Sequence, residues 1–159
     1  MSVTIRPACA EDRPLLEAFM SALQEIEREM EPNRFPGPEM AAQHLAWLEE
    51  QVAAHEGAVL LAEAEGVPVG FLICFTDEDP GFFVRREEAR FGYIADLYVE
   101  EAARGSGTAQ ALMEAAEAHF RALGIRQLRL FAVAGNARAQ AFYAKLGYGL
   151  YEVSLRKKI

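Results

Sequence analysis

One stretch constrains the fold more than any other. The apolar run Tyr93-Ile94-Ala95-Asp96-Leu97-Tyr98-Val99 is followed within a few residues by Arg104-Gly105-Ser106-Gly107-Thr108-Ala109. After it comes a segment in which Ala109, Leu112, Met113, Ala116, Phe120 and Leu123 recur at helical spacing. A strand, a glycine turn and an amphipathic helix commit the chain to an α/β arrangement. Backbone amides at a helix N-terminus converge on one spot, and the helix dipole favours negative charge there. Glycine lets the main chain approach an anion closely, and Arg104 adds a full positive charge at the mouth of the turn. The chemistry implied is binding of a phosphate or pyrophosphate. On this segment alone a tight connection without a ligand is an equal alternative.

Two common phosphate motifs are excluded by residue. A P-loop needs lysine directly after its last glycine, and none follows here. A dinucleotide turn calls for an acidic residue about 20 positions on, where this chain has the Arg126 region.

The rest of the chain surrounds this unit with alternating elements. Val3–Arg6 reads as a first strand. The segment from Ala10 opens a helix striped by Leu15, Leu16, Phe19, Met20, Leu23 and Ile26. Pro32, Pro36 and Pro38 end it, and a second helix spans Glu39 to His55. Ala58–Glu63 and Val67–Phe75 form a hairpin across Ala64-Glu65-Gly66, and an acidic loop runs from Thr76 to Arg90. Beyond the glycine turn and its helix come a strand over Gln127–Val133, a short helix opened by Asn136 and closed at Gly147, and a last strand over Tyr148–Arg156. The expected order is β-α-α-β-β-β-α-β-α-β, a mixed α/β sheet with helices on its faces, in one domain over residues 1–159.

Bulk properties remove several function classes. A formal net charge of −8 opposes nucleic-acid binding, which needs a basic footprint, and suits a cationic acceptor such as an amine. No apolar run reaches the roughly 18 residues of a membrane span, and the first residues lack a signal peptide's apolar stretch. A cytoplasmic location is expected. Cys9 and Cys74 are too few and too far apart for a disulfide framework. His44, His55 and His119 lack a neighbouring second ligand, so no metal site is expected.

Two segments together resemble the GNAT superfamily (GCN5-related N-acetyltransferases). The superfamily's turn signature Arg/Gln-x-x-Gly-x-Gly/Ala is met by Arg104, Gly107 and Ala109. The run Asn136-Ala137-Arg138-Ala139-Gln140-Ala141-Phe142-Tyr143-Ala144-Lys145-Leu146-Gly147-Tyr148 resembles its later motif, Asn-x-x-Ala-x-x-Phe-Tyr-x-x-x-Gly-Phe/Tyr. The element order matches over essentially the whole chain, the first 55 residues in pattern only.

The resemblance implies acetyl transfer from acetyl-CoA to an amine by direct attack in a ternary complex, with a small-molecule acceptor. It implies that Arg104, Gly105, Ser106, Gly107, Thr108 and Ala109 hold the pyrophosphate. The main chain of Leu97, Tyr98 and Val99 would bind the pantetheine arm, with one amide polarising the thioester carbonyl. Asn136 would face the cofactor, and it also suits a helix N-cap. Tyr143 would protonate the departing thiolate. In the related diamine and thialysine acetyltransferases a glutamate stands where this chain has Ala95, which leaves Asp96 as the first candidate for the base. Glu31, Arg34, Phe35 and Tyr93 are candidates for the acceptor side. The exposed-looking aromatics Phe35, Phe82 and Phe83 fit either an aromatic acceptor or a homodimer contact. A CoA-binding module without turnover, acting as sensor or structural subunit, is the alternative reading.

Overall fold

The structure, a computed structural model, describes residues 2–159. Its elements are β1 (Val3–Pro7), α1 (Arg13–Met30), α2 (Gly37–Ala54), β2 (Ala58–Ala64), β3 (Val67–Glu78), β4 (Arg90–Val99), α3 (Thr108–Ala122), β5 (Leu128–Leu130) and α4 (Ala137–Lys145). The strands form one sheet in the order β1-β2-β3-β4-β5, antiparallel as far as β4 and parallel between β4 and β5.

The sheet is covered on both faces, which explains the unbroken apolar run Phe71-Leu72-Ile73-Cys74-Phe75 in its central strand. Phe71, Ile73 and Phe75 pack with Leu16, Phe19 and Met20 of α1 and Leu45 and Leu48 of α2. Leu72 and Cys74 point the other way, into a cluster with Ile94, Val99 and the α3 residues Leu112, Met113, Ala116 and Phe120. The α3 contact is close: a Cβ on Gly92 of β4 would lie 2.7 Å from the Phe120 ring. That approach seats the last turn of α3 directly on β4.

Several boundaries differ from the sequence expectation, among them β5, which spans Leu128–Leu130 rather than Gln127–Val133. Strands β3 and β4 run longer, because Thr76, Asp77 and Glu78 continue the ladder opposite Gly92, Phe91 and Arg90. Their side chains are too polar to signal a strand, yet the backbone pairing carries on. The expected last strand does not form. Residues 148–159 carry no regular secondary structure, and Leu150, Val153 and Leu155 stay exposed. Strand β5 ends after three residues, so it offers this tail only a short edge. Side chains hold the tail instead: the Arg129 guanidinium lies 4.6 Å from the Tyr151 ring centre, and Arg156 Nη2 lies 2.9 Å from Glu31 Oε2.

Candidate active site

The parallel pairing of β4 with β5 stops at Ile94↔Leu130. From Ala95 onward β4 continues without β5, and a cleft of about 70 Å³ opens between them. Ala95, Asp96 and Leu97 form one wall, Leu130 to Val133 another, and Asn136, Ala139 and Tyr143 of the α4 region a third. Leu23 and Glu27 of α1 complete it.

A bulge turns the first wall. Ile73 faces Asp96 and Cys74 faces Ile94, so Ala95 is the extra residue in β4. The extra residue lets both Ala95 and Asp96 lean toward the α1–α2 side. Asp96 is mostly buried there, with Oδ2 3.6 Å from His44 Nε2. Leu97 and Val99 pack toward α3. Tyr98 instead packs at a tilt against Phe19 and Phe71, and burial raises its phenol pKa.

The glycine turn follows one three-residue helical turn after β4. Gly105 has φ +79° and Gly107 φ +87°, and a Cβ on either would meet open space. Their requirement is thus the left-handed backbone itself rather than crowding. Among the described residues, the amides of Gly105 through Gln110 donate to no backbone or side-chain acceptor. The surrounding bonds preform the turn. Arg104 Nε donates to the Val99 carbonyl at 3.0 Å, and the Ser106 hydroxyl meets the Ala103 carbonyl and the Thr108 hydroxyl. Such a row of unpaired donors at the start of a 15-residue helix fits a pyrophosphate well.

On the third wall, the Asn136 carboxamide oxygen accepts from the Ala139 amide at 3.1 Å, the N-cap bond of α4, while the residue also lines the cleft. Tyr143 packs between Phe142 and Tyr148. Burial, followed by the negative charges of Asp96 and Glu27, pushes its phenol up to about 12. The hydroxyl therefore keeps its proton throughout the physiological range.

The four acceptor-side candidates are scattered, and none of them lines the cleft. Tyr93 comes nearest: it packs edge-on against Phe75 and against Phe131, itself a cleft residue. Arg34 reaches in only through Glu27, its Nε 3.3 Å from Glu27 Oε2. Glu31 is engaged by Arg156 of the tail, and Phe35 is 69% exposed. Phe82 and Phe83 are exposed and also outside the cleft. The described residues hold no cluster of three metal-ligating side chains, and no helix is long and apolar enough to cross a membrane.

Sequence reasoning missed Glu27 and His44. Both were legible by position. Glu27 continues the inward stripe Leu16, Met20, Leu23 of α1, and His44 stands in the stripe Gly37, Ala41, Leu48 of α2. A titratable residue at a core position of an amphipathic helix is the signal.

Comparison with known proteins agrees with this geometry. Residues 20–148 match the model of the acetyltransferase (GNAT) family. A mycothiol acetyltransferase of Amycolatopsis mediterranei (strain U-32) is 32% identical over 117 residues, which are 73% of this chain but 36% of that protein. The chain thus spans about a third of that relative's length. The crystal structure of a GCN5-related N-acetyltransferase from Ralstonia eutropha JMP134 superposes with a TM-score of 0.76 at 27% identity, covering 99% of both chains. A predicted acetyltransferase from Clostridium acetobutylicum, solved with acetyl-CoA, shares the fold with a TM-score of 0.74 at 20% identity, covering 99% of this chain and 96% of that one.

Proposed function

The chain belongs to the GNAT acetyltransferase family, and we propose that it transfers the acetyl group of acetyl-CoA to the amine of a small molecule by direct attack in a ternary complex. The observation that carries this reading is the row of unpaired amides from Gly105 to Gln110, which follows the same strand β4 that walls the cleft containing Tyr143. Acetyl-CoA supplies an activated thioester.

The chain's own groups do the rest. Arg104 to Ala109 hold the pyrophosphate, with Arg104 screening its charge. The β5-facing edge of β4 from Ala95 to Val99 has no strand partner, so its main chain is free to pair with the pantetheine arm and to polarise the carbonyl. Asn136 borders that arm. Asp96 attracts the acceptor's ammonium ion into the cleft. Tyr143 donates its proton to the departing sulfur. Its high proton affinity then recovers one from the attacking nitrogen, so the phenol ends as it began.

A small acceptor suits the size of the cleft, and the net charge of −8 favours a cationic one. The two free cysteines, Cys9 exposed and Cys74 buried, suit a reducing cytoplasm.

Calorimetry with acetyl-CoA, followed by thiol release across a panel of primary amines, tests the proposal. Binding with amine-dependent thiol release supports it. Binding without release for any amine identifies a CoA-binding module instead, and no binding contradicts both readings.

A further inference from the structure

A single carboxylate at Asp96 leaves the acceptor's proton without a clear destination. Two carboxylates line the cleft, Asp96 from β4 and Glu27 from α1, and they stand in different surroundings. We infer that Glu27 is the catalytic base that takes the proton from the acceptor's ammonium ion, while Asp96 holds that ion in place. This inference rests on the acetyl-transfer reading of the same cleft.

The geometry assigns the roles. Asp96 faces a basic side chain of α2 directly, its Oδ2 3.6 Å from His44 Nε2. Glu27 is half-buried at the inner end of the apolar stripe of α1, beside Leu23. Its cationic neighbour is weakly engaged: Arg34 Nε lies 3.3 Å away but without hydrogen-bond alignment, and it has no other partner among the described residues. Burial is the main influence on Glu27 and raises its pKa. The charge of Asp96 adds to the rise, while Arg34 and His44 oppose it. Tyr93 and Tyr143 complete the titratable groups around it. Two carboxylates whose environments differ in this way take different roles in proton transfer.

The protons balance. An ammonium acceptor must lose two protons to become an amide. Glu27 takes the first, the nitrogen lone pair forms the C–N bond, and the C–S bond breaks. The second proton leaves the nitrogen for Tyr143, which has given its own to the sulfur. Glu27 then releases its proton to solvent, past the half-exposed His44 and Arg34.

The test compares Glu27→Gln, Glu27→Asp and Asp96→Asn in the full chain, with putrescine, kanamycin and lysine as acceptor probes and calorimetry for acetyl-CoA. Glu27→Gln should lower kcat about 100-fold or more, the scale of a lost proton-transfer group, with acetyl-CoA affinity unchanged. It should also abolish the acid limb of the kcat–pH profile, which in the wild type lies above the usual glutamate range. Glu27→Asp should restore part of that limb. Asp96→Asn should act mainly on KM and keep the limb. A Glu27→Gln protein that binds acetyl-CoA and retains both kcat and the acid limb overturns the inference, as does loss of the limb in Asp96→Asn alone. A wild type that binds acetyl-CoA but acetylates none of the probes counts against the transfer reading itself.

Discussion

Burial controls the protons of the cleft one residue at a time. The Tyr143 phenol is held at about 12 mainly because its charged form would be poorly solvated there. Replacing it with phenylalanine keeps the ring packing against Phe142 and Tyr148 and removes only the proton. Tyr143→Phe is therefore expected to cut kcat by about 10²–10⁴-fold in steady-state assays, with acetyl-CoA affinity unchanged by calorimetry. Gly107 is a backbone requirement. At φ +87° with open space around its missing Cβ, Gly107→Ala should cost about 1–2 kcal/mol of stability from the left-handed conformation alone. It should also weaken acetyl-CoA binding by misaligning the amides that follow, whereas Gly107→Asn should cost less, because asparagine tolerates that conformation. Thermal unfolding and calorimetry on the two variants check this order. The turn itself was legible in the sequence, because its glycines adopt the left-handed backbone that few other residues take. Glu27 is marked only by its place in the apolar stripe of α1, and which groups it meets depends on what α1 packs against.

At the scale of elements, sequence pattern located every helix and every strand of the sheet, and failed where pattern and pairing part company. The Tyr148–Arg156 segment has strand-like residues, yet strand formation needs a partner edge, and β5 supplies three residues. Strand β4 begins at Arg90, earlier than its apolar run suggests, because β3 pairs with it that far. The start of α1 is also set by distant partners. Arg6 of β1 makes two hydrogen bonds to Asp12, at 2.7 and 2.9 Å, and one to Glu63 of β2 at 2.7 Å. The Arg6 guanidinium, with the Cys9 amide, holds the Asp12 carboxyl far below its usual range. A carboxylate with a depressed folded pKa stabilises the fold fully above its unfolded value of about 3.9, and that contribution is lost as pH falls toward the folded value. Asp12→Asn is thus expected to lower the melting temperature at pH 7. The gap between the two proteins should narrow steadily below about pH 4 in parallel thermal scans. A gap that stays constant down to pH 2 contradicts the pairing.

At the scale of the whole molecule, one covered sheet brings together three distant stretches of chain. The β4 bulge, the inner face of α1 and the α4 region meet at one cleft where β4 and β5 part after Ile94 and Leu130. The acceptor side was not legible, because the loop residues chosen for their chemistry, Glu31 and Phe35, are drawn to the tail or to solvent. The titratable helix residue that does line the cleft, Glu27, shows in the sequence only as a charged residue in the apolar stripe of α1. Amine-dependent acetyl transfer is checked by mass spectrometry of primary amines incubated with the protein and acetyl-CoA. At least one amine is expected to gain a single acetyl group with matching release of free thiol, and Tyr143→Phe to slow both together. Tight acetyl-CoA binding with no amine acetylated and no thiol released would contradict it.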